Sequence, residues 1–287
     1  MSAYQSLLHH WPEYAMEAAL LGLFMVSACL FTALFEHPAS AIRRRIGNAV
    51  VRRAGIGLAM GLTAVALIYS PWGQRSGAHM NPATTLTFFA RGMVAPWDAL
   101  FYVLAQMIGG ALGVAAGAVL LRNAIRHEAI DFVVTMPGRR GSSGAFAGEL
   151  FISFGMMFMV LVATNDERFA PYTGFFAGLL LLIYVAFEAP LSGMSLNPAR
   201  SFASAIIARK WRGFWIYLAA PVVGMLLASA AYSSLPLNVP LVLSHRAAAE
   251  ASPPCAKLNR CTGRNCVFEC RNPAKLTQKT EAAPVLP

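Results

Sequence analysis

One tripeptide occurs twice in this chain and limits what the chain can fold into. Asn-Pro-Ala lies within SGAHMNPATTLTF and again within SGMSLNPARSF, 116 positions later. Asn is a preferred N-cap residue and Pro is favoured at the first helical position, so each copy predicts the start of a helix. The predicted helices, about 81–91 and about 197–208, reach only about halfway across a bilayer at 1.5 Å per residue. The six motif residues are Asn81, Pro82, Ala83, Asn197, Pro198 and Ala199.

Six apolar stretches are long enough to cross about 30 Å of hydrocarbon. Hydrophobic residues make up 57% of the chain and charged residues 13%, and the mean hydropathy of +0.54 is that of a membrane protein with several spans. The first residues lack a basic region and a small-residue cleavage site, so we expect the first span to remain in the protein. The predicted spans are about 14–35, 54–70, 99–121, 145–164, 172–190 and 213–235.

The two short helices predict a lumen inside the membrane. A half-length helix in lipid would leave backbone groups without partners, which is tolerable only where protein or a water-filled cavity covers them. Two such helices therefore indicate a cavity near the membrane centre.

The repeat extends beyond the tripeptides and predicts the topology. Glu17 lies among small apolar residues in the first span, as Glu149 does in the fourth, and Tyr102 matches Tyr217. Three spans per half is an odd number, so the second half enters the membrane from the opposite side. We therefore predict an all-α membrane protein with six transmembrane helices and two re-entrant half-helices in an inverted repeat. The channel domain is 1–235, with halves at about 12–121 and 144–235.

Residues 236–287 differ in composition and are expected to form a soluble, largely irregular tail. The cysteine spacing there is C-x5-C-x4-C-x3-C, without the C-x2-C pairs or paired His typical of zinc sites. Metal binding, disulfides and free thiols stay open as alternatives, and no cofactor is predicted. The four tail cysteines are Cys255, Cys261, Cys266 and Cys270.

The net charge of +10 comes largely from Arg in the connections between spans, which favours contact with a membrane surface and not with nucleic acid. The loops after the first, third and fifth spans are the basic ones. Their Lys and Arg residues are Arg43, Arg44, Arg45, Arg52, Arg53, Arg122, Arg126, Arg139, Arg140, Arg209, Lys210 and Arg212.

The two motif segments, the six spans, the early Glu of each half and AQxxGG in the third span resemble the aquaporin and glycerol-facilitator family of membrane channels. The resemblance covers about residues 12–235 and implies a homotetramer with one pore per subunit. It also implies that both termini lie in the cytoplasm. The positive-inside rule alone would invert the molecule, and we keep the family orientation as the expectation.

Each motif Asn has a part in the expected mechanism. As an N-cap, Asn81 or Asn197 uses its side-chain oxygen on its own helix, which is expected to leave the amide NH2 free to donate into the lumen. Two helix N-termini that meet in low dielectric repel cations and orient the oxygens of passing molecules. Arg200 follows the second motif, and the resemblance places it in a narrow selectivity filter.

The other filter positions follow by counting from the motifs. They are Met194, Val185 and, with an uncertainty of one residue, Met60. Water-selective members usually place a His and an aromatic residue in the filter, where this chain has Val185 and Met60. An apolar filter with one Arg is consistent with a wider pore for small neutral solutes. Ser201 after Arg200 is nevertheless similar to the water channels.

Three polar residues are expected to support the re-entrant loops. Glu17 and Glu149 would accept bonds from loop N–H groups, although either could instead relay protons in a transporter. His79 would either line the pore or stabilise its loop.

The predicted function is a passive channel for water or small uncharged solutes such as glycerol, peroxide, ammonia or urea. The alternative is a proton-coupled secondary transporter, because inverted repeats with broken helices suit both. No motif of an enzyme is evident. The expected partners are the lipid bilayer and the solutes, and the expected location is a bacterial inner membrane. Cys29 is the single cysteine in a span and is expected to lie away from the filter.

Overall fold

Residues 2–235 are described by the structure, a computed structural model, and are helical without a strand in that part of the chain. Six helices are long and apolar enough to cross a membrane, which confirms the predicted number of spans. The predicted tail lies outside the described residues. The six long helices are α1 (Ala3–Glu36), α3 (Ala49–Tyr69), α6 (Pro96–Leu121), α7 (Gly141–Thr164), α8 (Thr173–Phe187) and α11 (Phe214–Ser233).

Helices α1, α3, α6 and α7 begin earlier than the hydropathy predicts, and the difference is largest for α1 and α3. Helix α1 begins at Ala3, where Ser2 and Gln5 form a capping box, and it carries buried polar side chains through its first three turns. His10 bonds to Asp98 of α6 at 2.9 Å, so a polar residue is stable there. Hydropathy alone cannot register such a partner.

Helix α3 likewise begins at Ala49, because Asn48 caps it with bonds to the N–H groups of Val50 and Val51. Arg52 and Arg53 therefore lie in its first two turns and not in a loop. These turns lengthen the span that is the shortest of the six predicted from the sequence.

Each half contains a re-entrant segment made of two short helices. In the first, α4 (Pro71–Ser76) ends at Gly77, and α5 (Pro82–Ala90) begins at the motif. In the second, α9 (Ala189–Ser192) ends at Gly193, and α10 (Pro198–Ala208) begins at the motif. Both glycines have a left-handed backbone, with φ values of 92° and 86°, which glycine adopts without steric cost. A further short helix, α2 (Ala41–Arg45), follows α1.

The long helices pack in pairs that the repeat relates. Helix α1 packs on α6 in the first half, and α7 packs on α11 in the second. Helices α3 and α8 pack on each other and so join the two halves. Small residues permit these contacts: a Cβ on Gly61 would lie 2.4 Å from the Gly178 carbonyl oxygen, and one on Gly113 would lie 2.2 Å from that of Gly22. Such close approach is typical of membrane helix packing.

The helix directions give the molecule two unlike faces. We call the face where α1 ends and α3 begins the basic face, because twelve Lys and Arg residues in its loops and at its helix ends lie there, and the acids there are Glu36, Glu128, Asp131 and Glu188. The opposite face holds the loop between α7 and α8. There Arg168 bonds to Asp166 and lowers the pKa of that partly exposed carboxyl.

A candidate pore between two half-helices

The N-termini of α5 and α10 meet, and each is capped by its motif Asn. Asn81 accepts from the N–H of Ala83 at 2.9 Å, and Asn197 accepts from the N–H groups of Ala199 and Arg200 at 3.0 and 3.2 Å. Pro82 and Pro198 occupy the first helical positions. Both helices therefore begin where the sequence predicts, because capping depends on local residues.

The two amides also bond across the interface between the halves. Asn81 Nδ2 donates to the carbonyl oxygen of Leu196 at 2.8 Å, and Asn197 Nδ2 donates to that of Met80 at 2.7 Å. The expectation that the whole NH2 is free is wrong for one N–H of each amide. A primary amide has two donors, so one N–H of each Asn remains for the lumen.

Glu17 lies fully buried beneath the first re-entrant loop. Its carboxylate accepts from the backbone N–H groups of His79 and Met80 at 2.9 and 2.6 Å, and from Ser76 Oγ at 2.9 Å. Gln106 Nε2 donates to it at 2.8 Å. The carboxylate thus supplies partners that a loop inside the membrane otherwise lacks.

Glu149 makes the corresponding contacts in the second half. It accepts from the backbone N–H groups of Ser195 and Leu196, both at 2.7 Å, and from Ser192 Oγ at 2.6 Å. Pro221 stands where the first half has Gln106. The Glu149 carboxylate therefore has no counterpart of the hydrogen bond that Gln106 Nε2 donates to Glu17.

The matched tyrosines complete the repeat. Tyr102 donates to the carbonyl oxygen of Ser76 at 2.7 Å, and Tyr217 donates to that of Ser192 at 2.5 Å. The two tyrosines match at an offset of 115 in the sequence. That match between the halves is the signal that could have predicted their common role.

His79 lies between the loop and the pore wall. Its Nδ1 is 3.0 Å from Thr85 Oγ1, and its ring packs on Phe88 and Tyr102 with centroid distances of 5.1 and 5.2 Å. It also borders the lumen beside Asn81. Both alternatives for this residue, lining and loop support, are therefore compatible with its position.

Two cavities lie along the path through the molecule. A cavity of about 410 Å³ opens toward the basic face, and one of about 130 Å³ is lined by Asn81, Asn197 and Thr84. Four residues line both cavities and so mark the passage between them. They are Phe24, Leu181, Ser195 and Arg200.

The structure brings the four predicted filter residues together. Met60, Val185, Met194 and Arg200 all line the larger cavity, and Met60 does so where its neighbours Ala59 and Gly61 do not. The guanidinium of Arg200 is the charged group of the passage, and its Nη1 is buried without a partner among the described residues. A passing oxygen atom could therefore accept from it.

Sequence reasoning missed Phe24, which lines both cavities from α1. An apolar residue in a span has no signal that distinguishes a pore face from a packed face.

Ser201 follows Arg200 in the sequence but does not share its position in the passage. It is buried, and its Oγ lies 2.6 Å from Thr135 Oγ1 and 2.5 Å from Ser195 Oγ. Ser201 thus fixes the loop and lines neither cavity.

Cys29 is fully buried and also lines neither cavity. It packs against Gly117 of α6, where an added Cβ would lie 2.9 Å from the Cys29 Sγ. It therefore lies behind the wall of the passage.

Comparison with known proteins agrees with this architecture. The family model described as Major intrinsic protein matches residues 11–232. The chain belongs to the major intrinsic protein family. Among curated relatives, it is 34% identical to aquaporin NIP1-3 of Oryza sativa subsp. japonica over 232 residues, which cover 80% of this chain and 78% of the relative.

A second plant relative and one solved structure are also similar to this chain. Nodulin-26 of Glycine max is 34% identical over 62% of this chain and 64% of its own length. The solved structure of the aquaglyceroporin from Plasmodium falciparum has a TM-score of 0.65 at 22% identity, covering 78% of this chain and 96% of that one. That likeness shows the fold.

Membership of this family gives the chain its class of function. It is an integral, multi-pass membrane channel for passive passage of water and small solutes, and not an enzyme. The alternative of a coupled transporter is not favoured. The reported curated relatives are plant proteins, so they do not support the expected bacterial inner membrane.

Proposed function

We propose that this channel conducts small uncharged polar solutes of about the size of glycerol as well as water. The observation that supports the proposal is the filter, in which Met60, Val185 and Met194 surround one donor group, Arg200. Two Met side chains are flexible and adaptable, and Val185 is smaller than His. Such a passage offers an apolar wall to a carbon chain and a donor to its hydroxyl groups.

Ion exclusion is assigned to three groups in sequence. Arg200 repels cations at the passage, and the N-termini of α5 and α10 add about half a positive charge each. The remaining N–H of Asn81 and of Asn197 then donates to the solute oxygen. A water molecule held by both amides is oriented away from its neighbours, which hinders proton relay.

Glu17 and Glu149 are assigned to loop support and not to proton transport. Both carboxylates accept several bonds from their loops and line neither of the two cavities. A relay group must exchange protons with the lumen, which this position does not favour. His79 is assigned to supporting the first loop at the pore wall.

The assembly that accompanies this function is proposed to be a homotetramer, on the basis of the family resemblance. Mass measurement of the detergent-solubilised protein tests it. A mass of one protein chain after subtraction of detergent would contradict the tetramer.

The function is tested by stopped-flow permeability of proteoliposomes to water and glycerol side by side. We expect both permeabilities to exceed those of empty vesicles and to be independent of a pH gradient. Water permeability alone would contradict the wide filter. Glycerol flux that depends on a pH gradient would contradict the passive channel.

A further inference from the structure

We propose that the larger cavity, called the vestibule below, binds a small divalent oxyanion that obstructs the pore. The ligand class is free sulfate or inorganic phosphate. The inference rests on the proposed function, since obstruction is read as lost solute flux.

The walls of the vestibule bring three arginines to one space. Arg52, Arg53 and Arg200 line the cavity of about 410 Å³, and Glu36 is the carboxylate on the same wall. Water occupies about 30 Å³ per molecule in the liquid, so the space admits a small hydrated anion.

The carboxylate of Glu36 is already engaged by other groups. Both of its oxygens lie 3.1 Å from Arg52 Nε, and one lies 3.5 Å from Arg43 Nε. It therefore balances Arg52 and leaves the vestibule with the positive charge of Arg53 and Arg200.

Arg52 and Arg53 are neighbours with different roles. Arg52 is buried, and its Nη1 donates to the carbonyl oxygens of Ile46 and Gly47 at 2.8 Å, so it holds the chain together. Arg53 is half-buried and anchored through Nε to the carbonyl oxygen of Ala186 at 3.0 Å. The Nη groups of Arg53 have no bonded partner in the described part of the chain, and a guanidinium fork matches the geometry of an oxyanion.

The position of Arg53 places a bound anion in the solute path. Arg53 precedes Met60 by seven residues on α3, or about 10 Å along the helix axis. An anion at Arg53 therefore lies above the filter, where Arg200 attracts it. It stops there because passage between Met60, Val185 and Met194 would remove its water without replacing it.

The surroundings raise the anion concentration at this mouth. The basic face has twelve Lys and Arg residues and four Asp and Glu residues in the described chain, whereas the opposite face has nearly balanced charge. A cleft with charge of one sign concentrates counter-ions by about tenfold or more.

Sulfate is the probe because its charge does not change near neutral pH. Phosphatidylcholine proteoliposomes are equilibrated with gluconate, and gluconate is replaced by sulfate on both sides at constant ionic strength and osmolarity. We expect tens of millimolar sulfate to lower glycerol permeability by about twofold or more, because the positive charge concentrates the anion in the vestibule.

Substitutions locate the effect. Arg53→Gln keeps a donor for the Ala186 carbonyl but removes the charge, and we expect it to raise the half-inhibiting sulfate concentration about fivefold or more. Arg53→Lys is expected to retain part of the inhibition. Arg168→Gln, on the exposed loop of the opposite face, is the matched control and should behave as the parent.

Each other outcome has a defined meaning. Glycerol flux that is high in gluconate but insensitive to sulfate overturns this inference and leaves the channel function intact. Equal inhibition of the parent and Arg53→Gln overturns the site. Block only in vesicles that contain an anionic phospholipid would identify a headgroup as the ligand and overturn the free-anion proposal.

A readout without flux separates the inference from the proposed function. If the parent shows no flux above empty vesicles in gluconate, the channel function fails. Sulfate should then still raise the thermal midpoint of the detergent-solubilised parent more than that of Arg53→Gln, and equal shifts would overturn the site.

Discussion

Asn81 and Asn197 each cap one half-helix and bond to the loop of the other half, at 2.8 and 2.7 Å. The side-chain oxygen of each Asn serves its own helix and the nitrogen joins the two halves. The pore centre is therefore held together by the same two side chains that are proposed to contact the solute.

Asn81→Asp is expected to keep the cap of α5 and to remove the bond to the other half. Asp caps a helix about as well as Asn, but it has no N–H to give to the Leu196 carbonyl. Loss of that bond is expected to cost about 1–3 kcal/mol, or roughly 2–4 °C in thermal midpoint per kcal/mol. The added negative charge should also raise cation leak, measured as dissipation of a potassium gradient.

Asn48→Asp is the matched control for this change, because Asn48 caps α3 through its oxygen at the surface. We expect it to leave the cation leak unchanged. A leak of the same size in both variants would place the effect outside the pore centre.

Glu149→Gln is expected to weaken the second re-entrant loop. The amide keeps one acceptor oxygen but points a donor at N–H groups that the carboxylate now serves. Bonds to a charged acceptor contribute about 1.5–3 kcal/mol each, so we expect a thermal midpoint lower by several degrees and reduced glycerol flux. Asp166→Asn, in the loop between α7 and α8, is the control, and an unchanged midpoint for Glu149→Gln would argue against loop support.

Narrowing the filter should separate glycerol from water. We expect Met60→Phe with Val185→His to lower glycerol permeability by about tenfold, equivalent to about 1.4 kcal/mol, while water permeability falls less. The physical reason is that both side chains line the cavity beside Arg200. Leu62→Phe, which changes an exposed side chain on the same helix, should alter neither permeability, and parallel loss of both fluxes in the filter variant would contradict the assignment.

Mercury should act weakly on the pore. Cys29 is fully buried behind the wall, so we expect little loss of water permeability at low mercury concentration, measured by stopped flow. Complete inhibition that Cys29→Ser abolishes would show that the thiol reaches the lumen.

Thiol labelling tests the orientation. The family orientation places the tail with Cys255, Cys261, Cys266 and Cys270 in the cytoplasm, so an impermeant thiol reagent should not modify them in intact cells. Modification in intact cells, with labelling after permeabilisation as the control, would overturn that orientation and favour the one that the basic loops indicate.

Local chemistry explains what could be read directly from the residues. Asn-Pro-Ala determines where α5 and α10 begin, since capping involves only the next few residues. Run length determines the six spans, and the odd number per half determines the inversion. Counting from the motifs predicts Met194 and Val185 but fixes Met60 only to within one residue, because Gly61 to Asn81 spans 20 residues and Gly178 to Asn197 spans 19.

The tertiary structure decided what distant backbone supplies. The cross-bonds of Asn81 and Asn197 need carbonyl groups more than a hundred residues away, which no local pattern encodes. The same holds for Arg52 and Arg53, which are adjacent in the sequence. The guanidinium of Arg52 is engaged by Glu36 and the Ile46 carbonyl. Arg53 bonds through Nε to the Ala186 carbonyl, and its Nη groups have no bonded partner in the described residues. Side-chain roles of this kind depend on which partners the fold brings within hydrogen-bond distance.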